Sequence, residues 1–214
     1  MFPLCYWPCS RPLWHHLTLK RYRATARDAP ILIEDLEGLD AIRNDLEAHY
    51  TLANDIDASA TLDPNYNDGK GWNPIGSESH SFSGTFDGDG HTISRFFINR
   101  ISTNHISLFG FTSDMAEIKN IGLVDVDVSG NSGVGGLVGI NDGKVNTAHF
   151  VGPVLATGAN VGGQIGVNNG TVENSYWNNE TSGQLTSAGG EGRNTSDMND
   201  KSRSWAGISI SYGG

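Results

Sequence analysis

The chain has 214 residues, 28 of them Gly, with 14 Lys+Arg against 24 Asp+Glu and a formal net charge of −10. That length suits one domain with flanking parts, and the glycine content favours turns over helices. The acidic balance excludes a surface built for nucleic acid phosphates and suits a soluble, secreted or surface-displayed module.

Residues 1–30 hold five of the 14 basic residues and one acidic residue, and prolines interrupt their apolar runs. They lack the continuous apolar core of a signal peptide or a spanning helix, so they read as a poorly structured basic extension with no membrane insertion. Cys5 and Cys9 are the only cysteines, and no second ligand pair follows at metal-like spacing. They are expected to be incidental.

Residues 31–60 read as a capping helix and a first strand. Leu36, Leu39, Ile42 and Leu46 recur at helical spacing, which predicts a short helix over 34–46. The strand "YTLANDIDA" follows it. A helix at the end of a stack of strands covers edges that would otherwise recruit further strands. The polar run over 64–76, "PNYNDGKGWNPIG", is expected to be a loop outside the core.

Residues 61–180 carry a repeat. "VGGLVGINDGKVNTAHF" from Val134 and "VGGQIGVNNGTVENSYW" from Val161 align without a gap, 27 residues apart, with seven of 17 positions identical. The repeat positions are Gly136, Gly139, Asn141, Gly143 and Val145 in one copy and Gly163, Gly166, Asn168, Gly170 and Val172 in the other. Ile93, Ile118, Val145 and Val172 head related segments at steps of 25, 27 and 27. Ile98, Leu123, Phe150 and Trp177 close them. Such a period marks units that bury an apolar face only by stacking on their neighbours. The units are short, β-branched and bounded by Gly, Asn and Asp, so they read as strands. The simplest reading is an all-β parallel solenoid of about four coils with a short N-terminal capping helix. The glycines serve tight bends or close backbone approach. Residues 181–214 form a Gly/Ser/Asn-rich tail with little periodicity.

"GLVGINDGKV" and "GQIGVNNGTVENSYW" resemble the GLUG motif of bacterial surface proteins. "YTLANDIDAS", "GWNPIG" and "FSGTFDGDGHTISRFFI" resemble the segments that precede such motifs, and "NSYWNNETSGQLTSAGGEG" the segment that follows. The resemblance covers about residues 31–198. It implies a right-handed parallel β-helix in an exported, extracellular or cell-surface protein. Relatives of this kind are filamentous haemagglutinin-like adhesins and regions beside IgA-specific metallopeptidases. The sequence has no His-Glu-x-x-His, and His15 and His16 are adjacent, so peptidase activity is not carried over. The ending "SWAGISISYGG" replaces the aromatic strand expected after "TSAGG".

No catalytic or metal residue is expected. The weak candidates are two acidic pairs. Asp125 and Asp127 would share one strand face, about 6.6–7 Å apart in a regular strand. That is compatible with an inverting glycosidase, whose carboxyls lie about 6.5–9.5 Å apart, but alternation alone explains it. Asp87 and Asp89 in "TFDGDGH" offer hard oxygens for Ca²⁺, though Asp-Gly is favoured in turns anyway. Tyr176 and Trp177 are expected to pack the last coil rather than to form a sugar platform. The expected function is a non-catalytic adhesion or display module contacting a glycan, a host matrix or a sister surface protein. End-to-end self-association is a further possibility. The alternatives are a polysaccharide-active enzyme on the same fold and an accessory domain of a larger secreted peptidase.

Overall fold

The computed structural model describes residues 29–199. Cys5, Cys9, His15, His16 and the ending from Ser204 lie outside them.

The described residues are mostly β. The strands are β1 (Ile31–Ile33), β2 (His49–Leu52), β3 (Ile56–Asp57), β4 (Thr85–Asp87), β5 (Thr92–Ser94), β6 (Phe97–Asn99), β7 (Phe109–Thr112) and β8 (Glu117–Val124). They continue with β9 (Asp127–Gly130), β10 (Val138–Asn141), β11 (Lys144–Val151), β12 (Val154–Ala156), β13 (Ile165–Asn168), β14 (Thr171–Glu173), β15 (Tyr176–Asn178) and β16 (Glu191–Arg193). Three short helices are α1 (Leu36–Ala41), α2 (Asn179–Ser182) and α3 (Thr195–Met198).

All pairings between these strands are parallel. A large sheet runs β1-β2-β4-β8-β11-β15-β16, a second runs β6-β9-β12 and a third β7-β10-β13. From β7 onward the chain visits the third, large and second sheets in turn, then returns one strand along. Parallel neighbours require such crossovers, because a tight turn joins only antiparallel strands.

Inward side chains form columns across the strands. Phe86, Ile118, Val145 and Val172 stand in one register, as do Ile93, Leu123, Phe150 and Trp177. Ile98, Val128 and Val154 form another, and Phe109, Val138 and Ile165 a fourth. All are buried except Val172, which is partly so. The 27-residue step is kept between β11 and β14–β15.

The step breaks upstream. Ile93 lies opposite Leu123 and not Ile118, whose partner is Phe86, and Ile98 lies opposite Val128. The cause is the turn after β4. Asp89 and Gly90 both take left-handed backbone there, with φ 49° and 82°, and they add residues that the later rungs lack.

The corners use a common device. Asn120 and Thr147 (φ 53° and 56°) interrupt β8 and β11, and Asn174 (φ 48°) follows β14 at the same step. Arg95, Asp125 and Gly152 turn the chain toward the second sheet, and His105, Gly133 and Asn160 toward the third, all at positive φ. Asn, Asp, His and Gly tolerate this region best, while a β-branched Thr147 is strained in it.

At the N-terminal end, α1 begins at Asp35, whose Oδ1 accepts the Gly38 N–H at 2.8 Å. The expected helix over 34–46 stops at Ala41, and one 3₁₀ turn over Ile42–Asn44 replaces its second half. Leu39 and Ile42 are enough to cover the core, and Asp45 is already extended. The strand expected after the helix is present as β2 and β3, and an additional strand, β1, precedes the helix. The 64–76 loop also differs from expectation. Trp72 and Ile75 are both 0 % exposed, and Trp72 packs on Phe96 with ring centroids 5.5 Å apart. A polar run thus delivers two core side chains.

At the other end the tail crosses the last rung. β16 pairs with β15, the Thr186 carbonyl accepts the Gly163 N–H at 3.1 Å, and Gln184 Nε2 donates to the Val154 carbonyl at 2.8 Å. A Cβ on Gly189 would fall 2.5 Å from Val172 Cγ2, so this stretch lies directly on the open core.

Candidate functional site

The repeat residues hold the stack together. Gly136 and Gly163 have ordinary φ, so conformation does not demand glycine; space does. A Cβ at Gly136 would overlap the Phe150 ring, and one at Gly163 the Trp177 ring. Gly139 and Gly166 stack likewise, a Cβ on Gly166 falling 2.7 Å from the Gly139 carbonyl. Gly143 and Gly170 pack backbone on backbone, and Val145 and Val172 pair directly above one another. Close approach, not bending, is their role.

Asn141 and Asn168 form a side-chain ladder. Thr112 Oγ1 donates to Asn141 Oδ1 at 2.9 Å, and Asn141 Nδ2 donates to Asn168 Oδ1 at 2.8 Å. Asn141 is fully buried, so these bonds satisfy groups that would be costly unpaired.

On the outer face of the large sheet, charges alternate between rungs. Lys119 Nζ lies 3.6 Å from Asp87 Oδ2 and 3.7 Å from Glu117 Oε2, and Lys144 Nζ lies 3.6 Å from Glu117 Oε1. Asn169 Nδ2 donates to Asp142 Oδ1 at 2.8 Å, linking the aligned Asp and Asn of the two repeat copies.

The candidate acids Asp125 and Asp127 occupy different local settings. Asp125 is not in a regular strand. It occupies the corner between β8 and β9 with φ 55° and is exposed. Asp127 begins β9 opposite Phe97, half-buried, and burial raises its carboxyl pKa. The corner breaks the alternation on which a shared face depended. Asp87 accepts from Asn120 Nδ2 at 2.9 Å and from the Asp89 N–H at 2.9 Å besides facing Lys119. Its oxygens are spent on a turn and an ion pair. Among the described residues no group of three or more His, Cys, Asp or Glu is placed to hold a metal ion.

Trp177 is 5 % exposed and sits in the core column. Tyr176 is outward, with its ring 5.7 Å from that of His149 and the Arg193 guanidinium 5.6 Å from its centroid. His149 is buried, and desolvation lowers its pKa to about 4. Sequence reading passed over His149, and also over Arg43, whose guanidinium lies 4.3 Å from the Trp72 ring centroid. The signal for the latter was the lone Trp in a Gly- and Asn-rich loop.

The fold and this surface define a class: an all-β protein of parallel sheets whose outward polar residues link one rung to the next. No protein family's sequence profile matches the chain. Among curated proteins, "Halomucin" of Haloquadratum walsbyi is 33% identical over 133 residues, 59% of this chain and 2% of that protein. A "Putative Gly-rich membrane protein" of Evansella cellulosilytica is 37% identical over 125 residues, 56% of this chain and 14% of that protein. The chain thus spans a small part of either relative. A solved structure titled as that of a putative immunoglobulin A1 protease from Bacteroides ovatus gives a TM-score of 0.46 at 15% identity, covering 80% of this chain and 86% of that one. Among the described residues no helix is long and apolar enough to cross a membrane.

Proposed function

We propose that this chain is a non-catalytic repeat module of an exported, cell-surface protein, folded as a right-handed parallel β-helix of the GLUG-motif kind. One observation carries the reading. Outward polar groups bind neighbours one rung away, through Asp87–Lys119 and Glu117–Lys144 on the large sheet and Asp142–Asn169 in the turns leading into it, instead of converging on a reacting centre. Right-handedness follows the general rule for strand–crossover–strand connections in one sheet. The surface location is supported by the names of the two curated relatives.

The module acts as a rigid scaffold presenting its side chains to a glycan, a host matrix or a sister surface protein. The test is a glycan and matrix-protein array probed with residues 31–214, with assay of each hit for released reducing or unsaturated sugar. Binding without turnover is the expected result. Turnover that disappears when Asp125 and Asp127 are both changed to Ala would replace the scaffold reading with a polysaccharide-active enzyme.

A further inference from the structure

Seven Lys and Arg side chains lie among the described residues, against 22 Asp and Glu. Six of the seven have a carboxylate partner. Arg43 faces Asp40, Lys70 faces Asp68 and Arg95 faces Asp57. Lys119 and Lys144 share Glu117, and Arg193 meets Glu191. Arg100 has none among the described residues, which have carboxylates to spare.

Its position is nevertheless fixed. Arg100 follows β6; its N–H donates to the Ser129 carbonyl at 2.8 Å, and its own carbonyl accepts the Thr103 N–H at 2.8 Å. The side chain is tied at one atom, Nε donating 2.9 Å to the Trp72 carbonyl. Trp72 is in turn held in the core beneath Arg43. Among the described residues the terminal Nη pair of Arg100 has no acceptor, though the residue is partly buried. A partly desolvated guanidinium ordinarily takes a carboxylate when one is within reach. Here the group is oriented, partly desolvated and without an acceptor among the described residues for its Nη pair.

We propose that Arg100 anchors a saccharide subsite between the 66–73 loop and the end of β6, taking the isolated carboxylate of a uronic acid within an otherwise neutral glycan. The inference rests on the glycan-binding form of the proposed function. A carboxylate is chosen because the planar guanidinium fork matches its two oxygens. An isolated one is chosen because a chain of net charge −10 repels a continuous polyanion. A saccharide is favoured over an acidic peptide by the state of β6. Its edge is already occupied by the 66–73 loop, with Trp72 N–H on the Phe97 carbonyl at 2.8 Å and Asn99 N–H on the Lys70 carbonyl at 3.0 Å. No strand edge remains there for a peptide to extend. The nearby exposed groups are the amides of Asn73 and Asn99 and the partly exposed phenol of Tyr66, all suited to hydroxyls.

The test follows the side-chain Nε–H resonance of Arg100 by NMR during titration with galacturonic acid and, separately, its methyl ester. The acid is expected to shift that resonance with a millimolar Kd, and the ester to bind at least about tenfold more weakly. Arg100→Gln is expected to abolish the response, and Arg100→Lys, which keeps charge without the fork, to weaken it about tenfold. Arg95→Gln, at an ion pair outside the subsite, leaves it intact. Equal binding of acid and ester, or no response to the acid, overturns the subsite. So does unchanged binding by Arg100→Gln with a wild-type melting temperature. Array hits that survive Arg100→Gln would remove this subsite alone, whereas an array with no glycan hit removes the reading beneath it.

Discussion

The two halves of the stack bury comparable cores by different means. From Ser107 to Asn178 the chain repeats itself, and inward columns, glycine stacks and the asparagine ladder recur at nearly constant steps. From Ile31 to Ile106 nothing repeats so closely. There a one-and-a-half-turn cap, a long loop carrying Trp72 and the Asp89–Gly90 turn reach the same registers. Sequence identity between rungs is therefore one way to stack, not the requirement. What both halves share is an apolar residue at each inward position and a left-handed residue at most corners.

Trp72→Ala should separate the halves most sharply. The residue is fully buried, and truncating it is expected to cost about 3–5 kcal/mol, read by chemical denaturation. Amide exchange should accelerate first over residues 31–106. Uniform acceleration through both halves would show instead that the stack opens as one unit.

The second effect belongs to the repeating half and to pH. Burial holds the His149 pKa at about 4, below the ordinary 6.5, so the unfolded chain binds more protons between those values. Stability from this residue is complete above pH 6.5 and is lost as pH falls toward 4, by about 3 kcal/mol in all. His149→Gln should flatten the stability–pH curve in that window, and an unchanged slope would assign it to other groups.

Gly163→Ala places a methyl against the Trp177 ring and should cost about 1–3 kcal/mol by overpacking. Gly183→Ala, where a Cβ meets nothing within 4 Å, brings only the backbone strain of φ 66° and serves as its control. Asn141→Ala leaves Thr112 and Asn168 without a shared partner in a buried site, an expected loss of about 1–3 kcal/mol. The smallest effect is Lys119→Ala. Its ion pairs are about a third exposed, so a loss under about 1 kcal/mol, fading with added salt, is expected in thermal melts.

Much of the repeating half was legible in the sequence. A 27-residue copy with Val145 over Val172 and Phe150 over Trp177 states its own register, because side chains at equal steps meet in equal environments. The upstream rung was misread by aligning Ile93 with Ile118. Spacing alone does not reveal that the residues around Asp89 are spent on a corner. Asp125 and Asp127 were misread for the same reason: alternation continues in the letters across a point where the backbone turns.

The sequence by itself determined that this protein is β-rich, that its apolar residues recur by the rung, and that Gly and Asn punctuate the rungs. Those are local facts, set by residue volume and backbone preference. Only the tertiary structure decided that Trp72 is core, that the tail lies across the last rung, and that Arg100 alone among the described cations lacks a carboxylate. Each depends on which distant segments meet, and a lone cation is recognisable only once every carboxylate has been placed.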